Sequence, residues 1–362
     1  MLDINTLIRE ASEKNASDIH ITVGAPPRFR IQGELVQTNF PKMTPGDTLE
    51  VLLNLMTPEQ RDTFEKQGDI DISVSVKDSG RFRVNAYKQR GMITIAMRLV
   101  DLEIPDAGSL KLPEEVMNLC NEKRGLILVT GPSGSGKSTV IASLIDMINT
   151  TRACNIITLE NPIEYLHSSK MSIVNQREIG IDAADYGSAI SSALKQDPDV
   201  LDIGEINGEN EASLTLMAAE TGRLVFSNFY TMSAADTIGA FIDLFPEERR
   251  RRAGNRLANV LKATVSRQLL LSTDGNLIPA YEILIADNPV REMIREGRIR
   301  DITTYMENND DKGLITMDRY IYGLYKDGLI SGEEALKSAC DRENMENRVN
   351  GDGSNAVKLV SF

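Results

Sequence analysis

One stretch, GPSGSGKST at 131–139, limits what this chain can fold into more than any other. Gly131, Gly134 and Gly136 permit backbone conformations that a Cβ would block, so successive N–H groups can turn towards one point. Lys137 and Ser138 complete the Gly-x4-Gly-Lys-Ser spacing of a phosphate-binding loop, and Ser133, Ser135 and Thr139 occupy the remaining polar positions. Such a loop needs a buried strand before it and a helix after it, because the helix start adds its positive end to the N–H groups. Both are predicted here. LILVT, from Leu126 into the loop, is a continuous apolar run of the kind buried on both faces of a parallel sheet. Beyond the loop, Val140, Ile141, Leu144, Ile145 and Ile148 share one helical face. The motif in this context predicts nucleotide binding. Lys137 reaches the β- and γ-phosphates, and the Ser138 hydroxyl ligates Mg²⁺ with Thr139 next in line.

Further apolar runs, IITL, VLDI, LVFSN and YEILIA, alternate with helical segments and are predicted as strands of the same parallel sheet. Glu160 ends IITLE and Glu205 ends VLDIGE. Carboxylates at the C-terminal ends of parallel strands face the ligand crevice, and hydrolysis needs one to orient the attacking water. Asp202 lies inside a buried run, where a carboxylate is costly unless it pairs with a lysine or helps hold Mg²⁺ through water.

The first hundred residues follow a different pattern. Ile4, Leu7, Ile8 and Ala11 recur at helical spacing, and Ile19, Ile21 and Val23 alternate as in a half-buried strand. RFRIQGELV has the form of a hairpin around its glycine, and IDISVSV, RFRVNAY and ITIAMRL keep a period of two. These predict a small α+β domain on an antiparallel sheet over 1–100, followed by an aperiodic linker at 101–112. The nucleotide domain is placed at 113–288, a helical part at 289–345 and a mobile tail at 346–362. In the helical part Ser331 and Glu334 suggest a capping box, and Met317, Ile321, Leu324 and Tyr325 a core face.

Composition excludes some classes. The net charge of −13 argues against a nucleic-acid partner, which would demand dense positive charge. The arginines of PEERRRRAGNR cover every side of a helix rather than one groove-facing stripe, so they read as a solvated helix start or a subunit seam. No apolar run approaches the roughly 18 residues that span a bilayer, and the acidic, amphipathic start MLDINTLIREASEK is unlike a secretion signal. Cys120, Cys154 and Cys340 stand far apart, as reduced thiols do in a cytosolic protein. His20 and His167 lack metal-ligand company and are read as hydrogen-bonding residues.

The motifs together carry a family resemblance. ASDIH, PPRFRIQGEL, RFRVNAYKQRG, GPSGSGKST, ITLENPIEY, NQREIG, QDPDVLDIGE and AAETGRLVF resemble, over nearly the whole chain to about residue 340, the type IV pilus retraction (twitching motility) ATPases of the type II/IV secretion ATPase superfamily. NPVREMIREGR at 288–298 resembles a signature of the retraction branch. The resemblance implies an α/β chain with a PAS-like α+β N-terminal domain, a RecA-like P-loop ATPase domain and a C-terminal helical part. It further implies a hexameric ring that hydrolyses ATP with Mg²⁺, docked on an inner-membrane pilus platform protein at the cytoplasmic face, powering pilin depolymerisation. Glu160 and Glu164 match the acidic box, Glu205 the Walker B glutamate, and Arg83 and Arg98 the arginines that act in trans on a neighbour's nucleotide.

The chain departs from that pattern at several positions. Arg223 and Tyr230 replace the two histidines of the family's histidine box, Asn161 replaces an acid, and Asn207-Gly208 replace an Arg-Asp pair. These changes bear on the rate and coupling of hydrolysis and leave binding intact. The segment from Arg223 to Tyr230 is expected near the crevice, within reach of the γ-phosphate. The second functional class is a weakly active or inactive nucleotide-binding paralogue that co-assembles with an active retraction ATPase. A pilus-assembly ATPase is disfavoured, since those carry an extra N-terminal domain and a four-cysteine zinc site and this chain has three cysteines.

Overall fold

The computed structural model describes residues 4–352 except 15, 32, 77–79, 101–102 and 310–312. The chain divides into two compact units, Met1–Glu103 with Glu164–Leu166, and Ile104–Ile163 with His167–Phe362.

In the first unit, the helix Ile4–Glu13 buries Ile4, Leu7, Ile8 and Ala11, the predicted stripe. It accompanies six strands, β1 (Asp18–Ile21), β2 (Arg28–Ile31), β3 (Glu34–Gln37), β4 (Asp69–Val76), β5 (Gly80–Gln89) and β6 (Met92–Val100). They form one sheet in the order β3-β2-β1-β6-β5-β4 with every neighbouring pair antiparallel. RFRIQGELV is the β2–β3 hairpin, with Gly33 at φ 87° in its turn. Two helices between β3 and β4, Pro45–Leu55 and Pro58–Gln67, escape the periodicity analysis although each opens on a full capping box, at Thr44 with Asp47 and at Thr57 with Gln60.

The second unit holds β7 (Gly125–Thr130), β8 (Asn155–Glu160), β9 (Ile173–Glu178), β10 (Val200–Glu205), β11 (Leu224–Phe229), β12 (Leu261–Leu271) and β13 (Leu277–Ile285). The order is β13-β12-β7-β11-β10-β8-β9, parallel from β12 to β9. β13, which holds all of YEILIA but its last residue, runs antiparallel to β12 and so corrects the expectation of a further parallel strand. The short connection from Leu271 to Leu277 leaves no room for the crossover that parallel neighbours need. Strand β7 shows how the sheet is covered on both faces. Leu126 and Leu128 join a core with the helices Tyr186–Ala193, Glu209–Glu220, Ala234–Asp243 and Glu247–Val260. Ile127 and Val129 join the opposite core with the helix Lys137–Thr151. Leu110 and Leu112, from the predicted linker, are buried in that second core.

Met317, Ile321 and Leu324 are buried together with Ile330 and Met345, and Tyr325 packs at the margin. Ser331 accepts from the Glu334 N–H at 3.1 Å, but the Glu334 carboxylate accepts from Leu271 N at 3.1 Å. Half of the predicted capping box is thus replaced by a tie to β12. The helix Arg342–Asp352 runs past residue 345, where the helical part was expected to end, and 353–362 lie outside the described residues. In the arginine-rich helix, Arg249 pairs with Glu209 at 2.7 Å, Arg250 with Asp243 at 2.9 Å and Arg256 with Glu220 at 2.8 Å.

The histidines differ from expectation. His20 Nε2 and His167 Nδ1 are buried with no hydrogen-bond partner among the described residues. Burial pushes the His167 pKa down from 6.5 to about 4. The folded chain holds the ring neutral, so on acidification the unfolded chain takes up the proton first. Stability from this group is complete above about pH 6.5 and declines as the pH falls towards 4. His167→Gln should therefore flatten part of the fall in melting temperature between pH 6.5 and 5, as thermal unfolding of both proteins would record; parallel curves would exclude the effect.

Candidate active site

The parallel strands bring their C-terminal ends to one edge. Phe229 pairs with Thr130, Glu205 with Asn228, and Ile203 with Leu159, so the residues that follow β7, β8, β10 and β11 meet there. From β7 the chain enters the loop, with Gly131, Gly134 and Gly136 at φ 141°, 78° and 81°. A Cβ on Gly131 would stand 2.2 Å from the Arg267 carbonyl oxygen, and one on Gly136 2.0 Å from the Arg267 guanidinium. Only glycine fits either place. Arg267, on β12 and 6% exposed, donates from Nη1 to Gly136 O at 3.0 Å and props the loop from behind. Sequence patterning misses it, because Lys262, Arg267 and Gln268 break up the apolar run of β12.

The loop opens on the N-terminus of the helix Lys137–Thr151, which no side chain caps. Its first N–H groups are oriented as an anion requires, which fits a polyphosphate. Lys137 is buried against the loop, its Nζ donating to Gly131 O and Pro132 O at 3.0 Å each. The same Nζ lies 4.2 Å from the centroid of the Tyr230 ring. Ser138 and Thr139 are half-buried beside it, Ser133 is exposed, and Ser135 is buried.

Two carboxylates close strands on the β11 side of β7. Glu160 Oε1 accepts from Thr158 Oγ1 at 2.6 Å and Gln176 Nε2 at 3.1 Å. Glu205 is held at both oxygens, Oε1 accepting from Tyr230 OH at 2.7 Å and Oε2 from Asn207 Nδ2 at 3.1 Å. A phosphate cradle, a lysine and a fixed carboxylate at one sheet edge are the parts of a nucleotide hydrolase.

Residues 1–277 match the family model of the type II/IV secretion system proteins. The chain belongs to this family. It is 35% identical over 343 residues to the type IV pilus retraction ATPase PilT of Pseudomonas aeruginosa, covering 95% of this chain and 100% of that one. To the type IV pilus ATPase PilU of the same organism it is 33% identical over 339 residues, covering 93% and 89%. A crystal structure of the pilus retraction motor PilT with bound ADP matches with a TM-score of 0.90 at 42% identity, over 96% of this chain and 100% of that one. The chain is accordingly a secretion ATPase, an α/β ATP hydrolase resembling the pilus retraction motors.

The remaining residues singled out for this secretion ATPase are distributed as follows. Asp202 is buried in β10 between Thr158 and Phe226 of the adjoining strands. Tyr186, unremarked in the sequence, is buried with its hydroxyl 2.9 Å from where a Gly204 Cβ would lie. Burial first, then the charges of Glu205, Asp202 and Glu160, push its pKa up, so the hydroxyl keeps its proton. Asn161 is exposed, and Glu164 is exposed in a segment that groups with the first unit. Arg83 and Arg98 face each other across β5 and β6 in the first unit, Arg83 paired with Asp71 at 2.5 Å and Arg98 with Asp18 at 2.8 Å.

Arg223 corrects an expectation. Gly125 N donates to Arg223 O at 2.9 Å, and Leu224 pairs with Gly125, at the start of β7. The loop leaves the other end of that strand, roughly 17 Å away at about 3.3 Å per residue. Arg223 Nη1 donates to Thr221 O at 3.0 Å, far from the phosphate cradle. Of the two positions read as a changed histidine box, Tyr230 is the one that lies beside Lys137 and Glu205.

Proposed function

We propose that this chain is the ATP-driven motor of type IV pilus retraction, working as a hexameric ring. The observation that carries the proposal is the match to PilT along essentially the whole of both chains, with the phosphate loop unbroken. The loop N–H groups and Lys137 bind the phosphates, and Glu205 orients the attacking water. Ser138 and Thr139, at the first turn of the loop helix, are the residues that would hold Mg²⁺, which supplies charge neutralisation on the phosphates. Arg83 and Arg98 act from a neighbouring copy, stabilising the charge that develops on the transferred group. Glu160 and Glu164 serve as the acidic box. No helix among the described residues is long and apolar enough to cross a membrane, consistent with a ring docked on the cytoplasmic face of a platform protein.

Mixing Arg83→Ala chains with Glu205→Gln chains tests the shared site. Neither parent ring turns over, and mixed rings should regain activity, because some interfaces then join two intact halves. Verified mixed hexamers with no recovered phosphate release would contradict sites built from two copies.

A second reading has its own support. Identity to PilU is close to that with PilT, and Tyr230 and Asn207, which hold Glu205, both depart from the family pattern. In that reading the chain is a slow accessory subunit that co-assembles with a paralogous ATPase. Phosphate release from the purified ring, alone and with the paralogue added, separates the two.

A further inference from the structure

Tyr230 joins two groups that the reaction uses separately. Its ring centroid lies 4.2 Å from Lys137 Nζ, and its hydroxyl donates to Glu205 Oε1 at 2.7 Å. The ring quadrupole attracts the ammonium; Lys137 is 7% exposed while the ring itself is 59% exposed, so the attraction is that of a partly solvated pair. The hydroxyl and the Asn207 amide hold the two oxygens of the Glu205 carboxylate. An ionised carboxylate has about four acceptor positions, so Oε1 keeps one for a water molecule. Beside these groups lies a cavity of about 260 Å³ lined by Glu205, Asn207, Asn228, Tyr230 and Thr231, among others, which gives the ring room to swing aside.

We infer that Tyr230 is a positioning residue that latches Lys137 to Glu205, and that the phosphates of a nucleotide compete with its ring for the Lys137 ammonium. The inference rests on the nucleotide site proposed above. Binding draws Lys137 from the ring to the phosphates, so the latch lowers affinity. The hydroxyl keeps Glu205 in one orientation, so the same side chain supports turnover. Affinity and rate are thereby set by different ends of one residue. A residue that only supported the fold would have the same sign of effect on both.

Two substitutions separate the ends in the assembled full-length protein. Tyr230 is 59% exposed, so neither threatens the core. Tyr230→Phe keeps the ring on Lys137 and deletes the hydroxyl. Its affinity for ATPγS with Mg²⁺, measured by titration calorimetry, should match wild type, while single-turnover ATP hydrolysis slows by about tenfold as the carboxylate loses its orientation. Tyr230→Leu deletes both contacts. It should bind ATPγS about 2- to 5-fold more tightly, as expected on losing a competing cation–π contact at an exposed ring, and also turn over slowly. Tighter binding combined with slower hydrolysis supports the latch. Tyr230→Leu binding no tighter than wild type, or Tyr230→Phe hydrolysing at the wild-type rate, overturns it. A wild-type ring without turnover would contradict the proposed motor instead, and the ATPγS affinities would still decide whether the ring competes for Lys137.

Discussion

Lys137→Ala should lower ATP hydrolysis by at least about a hundredfold and leave the fold intact. The ammonium is seated in the loop by two carbonyls, Gly131 O and Pro132 O, each at 3.0 Å. In the proposed site, removing it withdraws the charge that would meet the β- and γ-phosphates, where the transition state is most negative. The variant loses the two contacts to the loop carbonyls but keeps the Arg267 prop against Gly131 and Gly136, which does not involve the lysine side chain. Steady-state phosphate release, with circular dichroism to verify folding, measures the effect. A folded variant at the wild-type rate would remove the loop from the reaction.

Glu205→Gln gives the second large effect. Glutamine keeps the volume and an oxygen that can accept from Tyr230, so the local arrangement survives while the charge and basicity are lost. Turnover should fall by at least roughly a hundredfold, the usual contribution of a general base, with ATP binding retained. Equilibrium binding and single-turnover hydrolysis separate the two quantities. Normal turnover would transfer the role to Glu160, whose Oε1 is tied to Thr158 and Gln176.

Much of this site can be read along the chain, because its main parts are local. The loop, its strand and its helix are contiguous from Gly125 to Thr151, and their chemistry follows from spacing alone. Glu160 and Glu205 are legible for a similar reason, each closing an apolar run. What escapes the sequence depends on register between strands. Tyr230 meets Lys137 because β11 lies beside β7, and it meets Glu205 because β11 also lies beside β10. Arg223, only seven positions before Tyr230, was expected to share its surroundings; an extended strand carries it to the opposite edge of the sheet instead. Arg267 is hidden by a different cause. Its strand mixes Lys262, Arg267 and Gln268 with apolar residues, so neither of the usual periods stands out. Tyr186 reads as an ordinary core aromatic until Gly204, lacking a side chain, leaves space for its hydroxyl beneath the carboxylates.

The two units carry different sequence patterns. Alternation in IDISVSV, RFRVNAY and ITIAMRL corresponds to β4, β5 and β6, because an antiparallel sheet covered on one face imposes a period of two. In the parallel sheet both faces are covered, alternation vanishes, and strand direction is left to the connections. That is why YEILIA was legible as a strand and not as an antiparallel one.

Whether the chain hydrolyses ATP as a ring motor is decided by steady-state phosphate release from the purified, assembled protein. Mg²⁺-dependent release that disappears in Lys137→Ala and in Glu205→Gln is expected. Release from the assembled wild-type ring no greater than from Lys137→Ala would contradict the proposed motor.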